Sequence, residues 1–78
     1  MPTVLRRKGY RFFFFSADRR EQPHIHVEKG DGYAKFWLEP VALARSRAFA
    51  GYELTEIAAL VAQNRTMFRE KWDEHFAS

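Results

Sequence analysis

The segment Pro23-His24-Ile25-His26-Val27-Glu28-Lys29 carries the residue types best suited to chemistry, two imidazoles and a carboxylate at alternate positions. In an extended strand alternate side chains share a face, so His24, His26 and Glu28 point one way and Ile25 and Val27 the other. Two imidazoles so placed can ligate a divalent cation if Asp18 or Glu28 completes the set. The metal would activate a water against a phosphodiester while Arg19 or Arg20 held the phosphate. Metal-free chemistry is the other option. Imidazole titrates near neutral pH, so His24 and His26 can serve as base and acid in cleaving RNA through its own 2′-hydroxyl. Same-face neighbours on a strand lie about 7 Å apart, so both rings would have to turn toward one phosphate. A lone His-x-His is a weak motif, and hydrogen-bonded structural histidines satisfy it equally well. The sequence therefore assigns no cofactor, and a metal stays an alternative confined to His24, His26, Asp18 and Glu28.

The elements that must position these residues change character near Ala50. Before it apolar residues recur with a period of two and turn residues come at short intervals; after Gly51 the period is near 3.6 with no further glycine or proline. Strands are predicted at Tyr10 to Ser16, His24 to Lys29 and Tyr33 to Leu38, with a polar loop over 17–23 and a three-residue connection Gly30-Asp31-Gly32. Thr3 to Leu5 adds a short edge strand, and Val41 to Arg45 fits a strand or a helical turn. Ile57, Val61, Asn64, Phe68, Trp72 and His75 recur at steps of three or four, which predicts an amphipathic helix over about 52–76. Such a helix is close to 35 Å long, at roughly 1.5 Å per residue. A six-residue strand spans only about 20 Å, so a single rod overhangs the sheet. Phe68, Trp72 and Phe76 then need a second subunit or a partner chain to cover them, unless the helix breaks in two near Asn64. The expected architecture is one α+β domain over 1–78, strand-rich in 1–49: a small antiparallel sheet of three to five strands against one long C-terminal amphipathic helix.

Composition narrows the setting. In 78 residues there is no cysteine, so neither a disulfide framework nor a thiolate metal site is available, and eight phenylalanines supply the bulk of a small core. No apolar run reaches the roughly 18 residues of a membrane span, and Met1-Pro2-Thr3-Val4-Leu5-Arg6-Arg7 lacks the order of a signal peptide, so a cytoplasmic, membrane-free protein is expected. Charge is uneven: residues 1–30 hold seven basic side chains against three acidic ones, and residues 31–78 hold six against seven. A basic half of this kind suits phosphate backbones or an acidic protein partner, and equally a merely basic protein.

Alternation also sorts the strand faces. Tyr10, Phe12, Phe14, Ile25, Val27, Ala34, Phe36 and Leu38 form an inner face under the helix. That leaves Arg11, Phe13, Phe15, His24, His26, Glu28, Tyr33, Lys35 and Trp37 outside, too aromatic for an ordinary solvated surface. Three readings of this outer face stand side by side. Phe13, Tyr33 and Trp37 can stack bases while Arg11, Arg19, Arg20 and Lys35 hold phosphates. His24 and His26 can form the catalytic or metal site described above. Or the segment 39–50 or a second subunit covers the face and the histidines are structural.

Met1 to Arg6, Gly9-Tyr10-Arg11-Phe12-Phe13-Phe14-Phe15-Ser16, Asp18, Pro23 to Gly30, Ala34-Lys35-Phe36-Trp37-Leu38, Glu53-Leu54 to Asn64 and Trp72 together resemble the bacterial family titled domain of unknown function 4160. The resemblance runs nearly the whole length. It implies small stand-alone proteins without an assigned reaction, often encoded beside a member of the family titled domain of unknown function 2442, as in a toxin–antitoxin pair. It carries over no catalytic residue, and marks Asp18, His24, His26 and Glu28 only as parts of a signature. The chain departs from the family pattern at Gln22, where a second proline is common, and at Ala50, where a serine often caps the helix. The latter change weakens the helix start by about 1 kcal/mol unless Gly51 takes over. The expected function is a component of a toxin–antitoxin-like module that binds a partner protein, as a homodimer or with the 2442-family protein, and RNA or DNA. A small ribonuclease using His24 and His26 and a pure protein-interaction module are the alternatives, so whether the protein is an enzyme is left open.

Overall fold

Lys8 and Gly9 both hold positive φ, 55° and 85°, as a two-residue type I′ turn requires, and so return the chain at once on itself. In the computed structural model, which describes residues 3–15 and 19–77, five strands follow one another across a sheet as a simple meander. They are β1 (Thr3–Arg7), β2 (Tyr10–Phe13), β3 (His24–Lys29), β4 (Gly32–Leu38) and β5 (Val41–Arg47), every neighbouring pair antiparallel. Helices α1 (Gly51–Gln63) and α2 (Arg65–Phe76) come after them. This is the α+β class expected, with the largest of the anticipated strand numbers. Val41 to Arg47 takes the strand alternative.

The β3–β4 connection is tighter than the sequence suggested. Lys29 pairs with Gly32, so the turn is the dipeptide Gly30-Asp31, with Gly30 at φ 58°. Gly32 is a strand residue for a packing reason: a Cβ there would lie 2.3 Å from Cε1 of Phe49. Phe49 follows β5 and lies edge-on to Tyr10, with centroids 5.9 Å apart, so the chain leading into α1 closes this end of the core.

The inner face is assembled as alternation dictates. Phe12, Ile25, Val27, Ala34, Phe36 and Leu38 from the strands meet Ile57, Leu60 and Val61 of α1 and Phe68 and Trp72 of α2, all buried. Burial of a Phe or Leu side chain contributes roughly 1.5–3 kcal/mol, so this cluster is the main source of stability.

The helical stretch is interrupted at Asn64, whose φ of −109° and ψ of 13° leave the helical range. The Asn64 side-chain Nδ2 donates to the Leu60 carbonyl at 2.8 Å, and the Asn64 carbonyl accepts from the Phe68 N–H at 2.9 Å. One residue thus satisfies the end of α1 and the start of α2, which is what a break between helices needs. The second helix then packs on the sheet: the Phe68 ring lies 5.3 Å from Phe12, and Trp72 lies 5.4 Å from Phe14. The overhang of a single rod does not arise, and Phe68 and Trp72 find their cover within the chain. Arg69 of α2 donates to Asp73 at 3.1 Å and to Glu39 at the β4–β5 turn, tying the second helix to the far end of the hairpin. No helix among the described residues is long and apolar enough to cross a membrane.

Two outcomes follow from these contacts. Ala50 occupies the cap of α1 and has no side-chain acceptor, so of a capping box only the reciprocal half is present, the Glu53 carboxylate accepting the Ala50 N–H at 2.8 Å. Ala50→Ser supplies the missing half and raises unfolding stability by about 1 kcal/mol in a denaturant titration. The Tyr10 hydroxyl is buried and donates to Glu56 at 2.9 Å, and burial first, then that bond, pushes its pKa up to about 12. An unfolded tyrosine releases its proton at about 10. Stability from this residue is therefore complete below about pH 10 and is lost as pH rises toward about 12, where the unfolded chain binds fewer protons. Tyr10→Phe should flatten the loss of stability over that window relative to the parent protein.

Candidate functional site

Strand register sets the outer face in lines across the sheet. Arg11, Glu28, Tyr33 and Arg47 are successive partners on β2, β3, β4 and β5, and Phe13, His26, Lys35 and Arg45 form the adjacent line. His24 stands opposite Trp37. Directly opposed residues of antiparallel strands share a face, so the expected outer set is indeed assembled, with two additions from β5.

His24 and His26 are brought together, their ring centroids 4.9 Å apart and their planes nearly perpendicular. They are not presented to solvent. His24 is 0 % and His26 3 % exposed, and Phe13 beside them is 2 % exposed. The cover is aromatic. Phe15, at the start of the β2–β3 connection, lies 4.5 Å from the His26 ring, and Phe13 stacks on its other neighbour face at 5.5 Å. Trp37 and Trp72 close on His24 at 5.6 and 5.1 Å. Trp72 therefore touches both Phe14 and His24, so α2 reaches past the inner face to the end of the sheet.

Buried imidazoles need hydrogen-bond partners, and each of these rings has one at Nδ1. Nδ1 of His24 lies 2.8 Å from the Gln22 carbonyl, which can only accept, so Nδ1 carries the proton. Nδ1 of His26 lies 2.8 Å from the Tyr33 hydroxyl. Both bonds orient the rings inside the fold. Phe15 and Trp37 pack against the imidazoles, so a phosphodiester would have to displace these rings to reach them.

The remaining predicted ligands and contacts are dispersed by the same packing. Glu28 accepts from Arg11 at 2.7 Å, and Arg11 also donates to Thr3 at 2.8 Å and lies over Phe13 at 4.3 Å. Lys35 pairs with Glu21 and lies over Trp37 at 4.7 Å. Arg11 and Lys35 thus hold the outer face together. Arg19 and Arg20 are exposed, Tyr33 and Trp37 half-buried. Asp18 lies outside the described residues. Among the described residues no three His, Asp or Glu gather into a metal-binding group.

Among the exposed cations, Arg45 and Arg47 of β5 are gathered over a single ring, and residue spacing alone did not single them out. Both are exposed, both stand over Tyr33 with guanidinium carbons 5.8 and 5.6 Å from its ring, and neither pairs with a carboxylate among the described residues. With Phe13, Phe15, Tyr33 and Glu28 they line an open groove of about 450 Å³. The signal was present as Arg45-x-Arg47 opposite Tyr33-x-Lys35, and becomes legible only once β5 is known to be a strand and its register is set. The lone carboxylate in the groove, Glu28, is offset by Arg11, so its net character is cationic.

A family model described as Domain of unknown function (DUF4160) matches residues 9–73. That span contains β2 to β5, the histidine pair, α1 and the first turns of α2, through Asp73. Neither the curated proteins nor the solved structures contain a match to the chain.

The histidine packing has a direct test. Tyr33→Phe removes the hydroxyl that bonds His26 and leaves a buried ring nitrogen to be satisfied otherwise, which costs about 1–3 kcal/mol in a chemical denaturation measurement. Were His26 a solvent-facing catalytic residue, the same change would leave stability within about 0.5 kcal/mol of the parent.

Proposed function

The chain belongs to the DUF4160 family, and from that premise and the geometry of its outer face we propose that it is a binding component of a toxin–antitoxin-like module, not a hydrolase. It holds single-stranded nucleic acid along the Tyr33, Arg45 and Arg47 groove and a partner protein elsewhere on its surface. The observation that carries the nucleic-acid reading is the pair of exposed arginines over one tyrosine ring, free of carboxylates among the described residues. Such a site offers two fixed positive charges at about the spacing of alternate strand residues, roughly 7 Å, close to that of successive phosphates on an extended strand. Their guanidinium planes offer a surface on which a base can stack. The toxin–antitoxin assignment draws on the gene arrangement that the family resemblance implies. The ribonuclease alternative draws on His24 and His26, and their burial beneath Phe15 and the tryptophans weighs in favour of binding.

Titration of labelled single-stranded RNA and DNA oligonucleotides at several salt concentrations tests the reading. The parent protein should bind with a salt-dependent affinity, and Arg45→Ala combined with Arg47→Ala should lower the slope of log K against log salt by about 1.4, roughly 0.7 per phosphate contact. An unchanged slope refutes the groove. His24→Ala with His26→Ala should leave that slope intact once the variant is shown to be folded; cleavage of RNA by the parent and its loss in this variant would establish the nuclease instead.

A further inference from the structure

Strand β5 is the last in the sheet, so along one side its backbone N–H and C=O groups have no neighbouring strand among the described residues. Such an edge is a template on which an extended segment can add as a further strand. The two faces of β5 are equipped differently. On the helix side Val41 and Leu43 border a groove of about 310 Å³ that continues to Leu54 and Ala58 of α1. Leu43 is 44 % exposed, and among the described residues only Tyr52 is a comparably exposed large apolar side chain. On the other side a bulge, between the partners of Lys35 and Phe36, turns Arg45 and Arg47 to the outer face.

We propose that β5 is the docking edge for an extended segment of a partner protein in which apolar residues alternate with Asp or Glu. The apolar residues of that segment seat along Leu43 and Leu54, and its carboxylates meet Arg45 and Arg47. Charge complementarity selects this occupant over a second copy of the chain. Antiparallel self-pairing of the arginine half about Ser46 sets Arg45 opposite Arg47, a destabilising like-charge contact, whereas an acidic segment turns the same positions into opposite-charge pairs. Edge β1 does not offer the same combination, since it is shorter and the groove of about 420 Å³ beside its Val4 is lined by Lys71, Glu74 and His75 as well as Phe14. One consequence rests on the nucleic-acid reading above: a strand added at β5 neutralises Arg45 and Arg47, so partner and nucleic acid exclude one another and the partner acts as the off-switch.

Short synthetic peptides alternating Val with Glu, or Val with Lys, titrated into the isotope-labelled protein decide the matter, with amide hydrogen exchange as the readout. The Val/Glu peptide should slow exchange of β5 amides and leave β1 amides unchanged, and the Val/Lys peptide should not. Leu43→Glu, at a site exposed enough to keep the fold, should weaken the Val/Glu peptide by about tenfold or more. Arg45→Glu with Arg47→Glu should transfer the preference to the Val/Lys peptide. Binding that ignores peptide charge, protection that falls outside β5, or a peptide-free dimer with protected β5 amides overturns the proposal, the last by naming a second copy as occupant. Oligonucleotide binding on the same sample is scored separately. Its absence removes the off-switch and leaves the docking edge standing, whereas failure of the Val/Glu peptide removes the edge and leaves the groove.

Discussion

The burial of two imidazoles on the outer side of β3 is the constraint on which the outer half of this protein depends. An imidazole removed from water must keep its hydrogen bonds or lose free energy comparable to the bonds it forfeits. At Nδ1, His24 meets this demand through the Gln22 carbonyl, which fixes how the chain enters β3. His26 meets it through the Tyr33 hydroxyl on β4, which fixes the orientation of that tyrosine and so the floor of the β5 groove. The aromatic cover follows as well, since Phe13, Phe15, Trp37 and Trp72 exclude the water that would otherwise compete for these bonds.

A sheet covered on both sides by aromatics has few polar groups to spare, and this decides where charge is left over. Arg11 lies between Glu28, Thr3 and Phe13, and Lys35 between Glu21 and Trp37. Partly exposed ion pairs of this kind contribute little energy individually, typically under about 1 kcal/mol, and act mainly to position their side chains. Two exposed cations gathered at one groove lie further out, on β5. There Arg45 and Arg47 sit on the last strand, beside an open backbone edge and an apolar strip on its opposite face.

Asn64 plays the corresponding part in the helical layer. By taking up the end of α1 and the start of α2, it lets a segment too long for the sheet fold into two pieces that both reach it. Phe68 then packs against Phe12, and Trp72 bridges the inner and outer sides at the end of the sheet. The two layers are therefore coupled. Trp72, one of the residues that cover the histidine pair, belongs to a helix that also fills the core.

Much of the architecture was legible in the residues themselves. Alternation along Tyr10 to Phe14, Ile25 to Val27 and Ala34 to Leu38 assigns the inner face, because a strand's backbone sends alternate side chains to opposite sides whatever surrounds it. The period of Ile57, Val61, Phe68 and Trp72 assigns the helical layer for the equivalent reason. Alternation puts Phe15 on the same side as His24 and His26 but does not bring Trp72 over them, since that residue arrives through the path of α2 and not by strand spacing. Arg45 and Arg47 were hidden because their face depends on a bulge, which shifts parity by one residue and can be placed only against a partner strand. Local geometry thus determined the order of strands before helix and the inner faces of β2 to β4 from sequence alone, while β5 and the break at Asn64 were left open. Exposure, hydrogen-bond partners and the choice of which arginines stand open were decided by tertiary structure, because each depends on contacts between segments far apart in the chain.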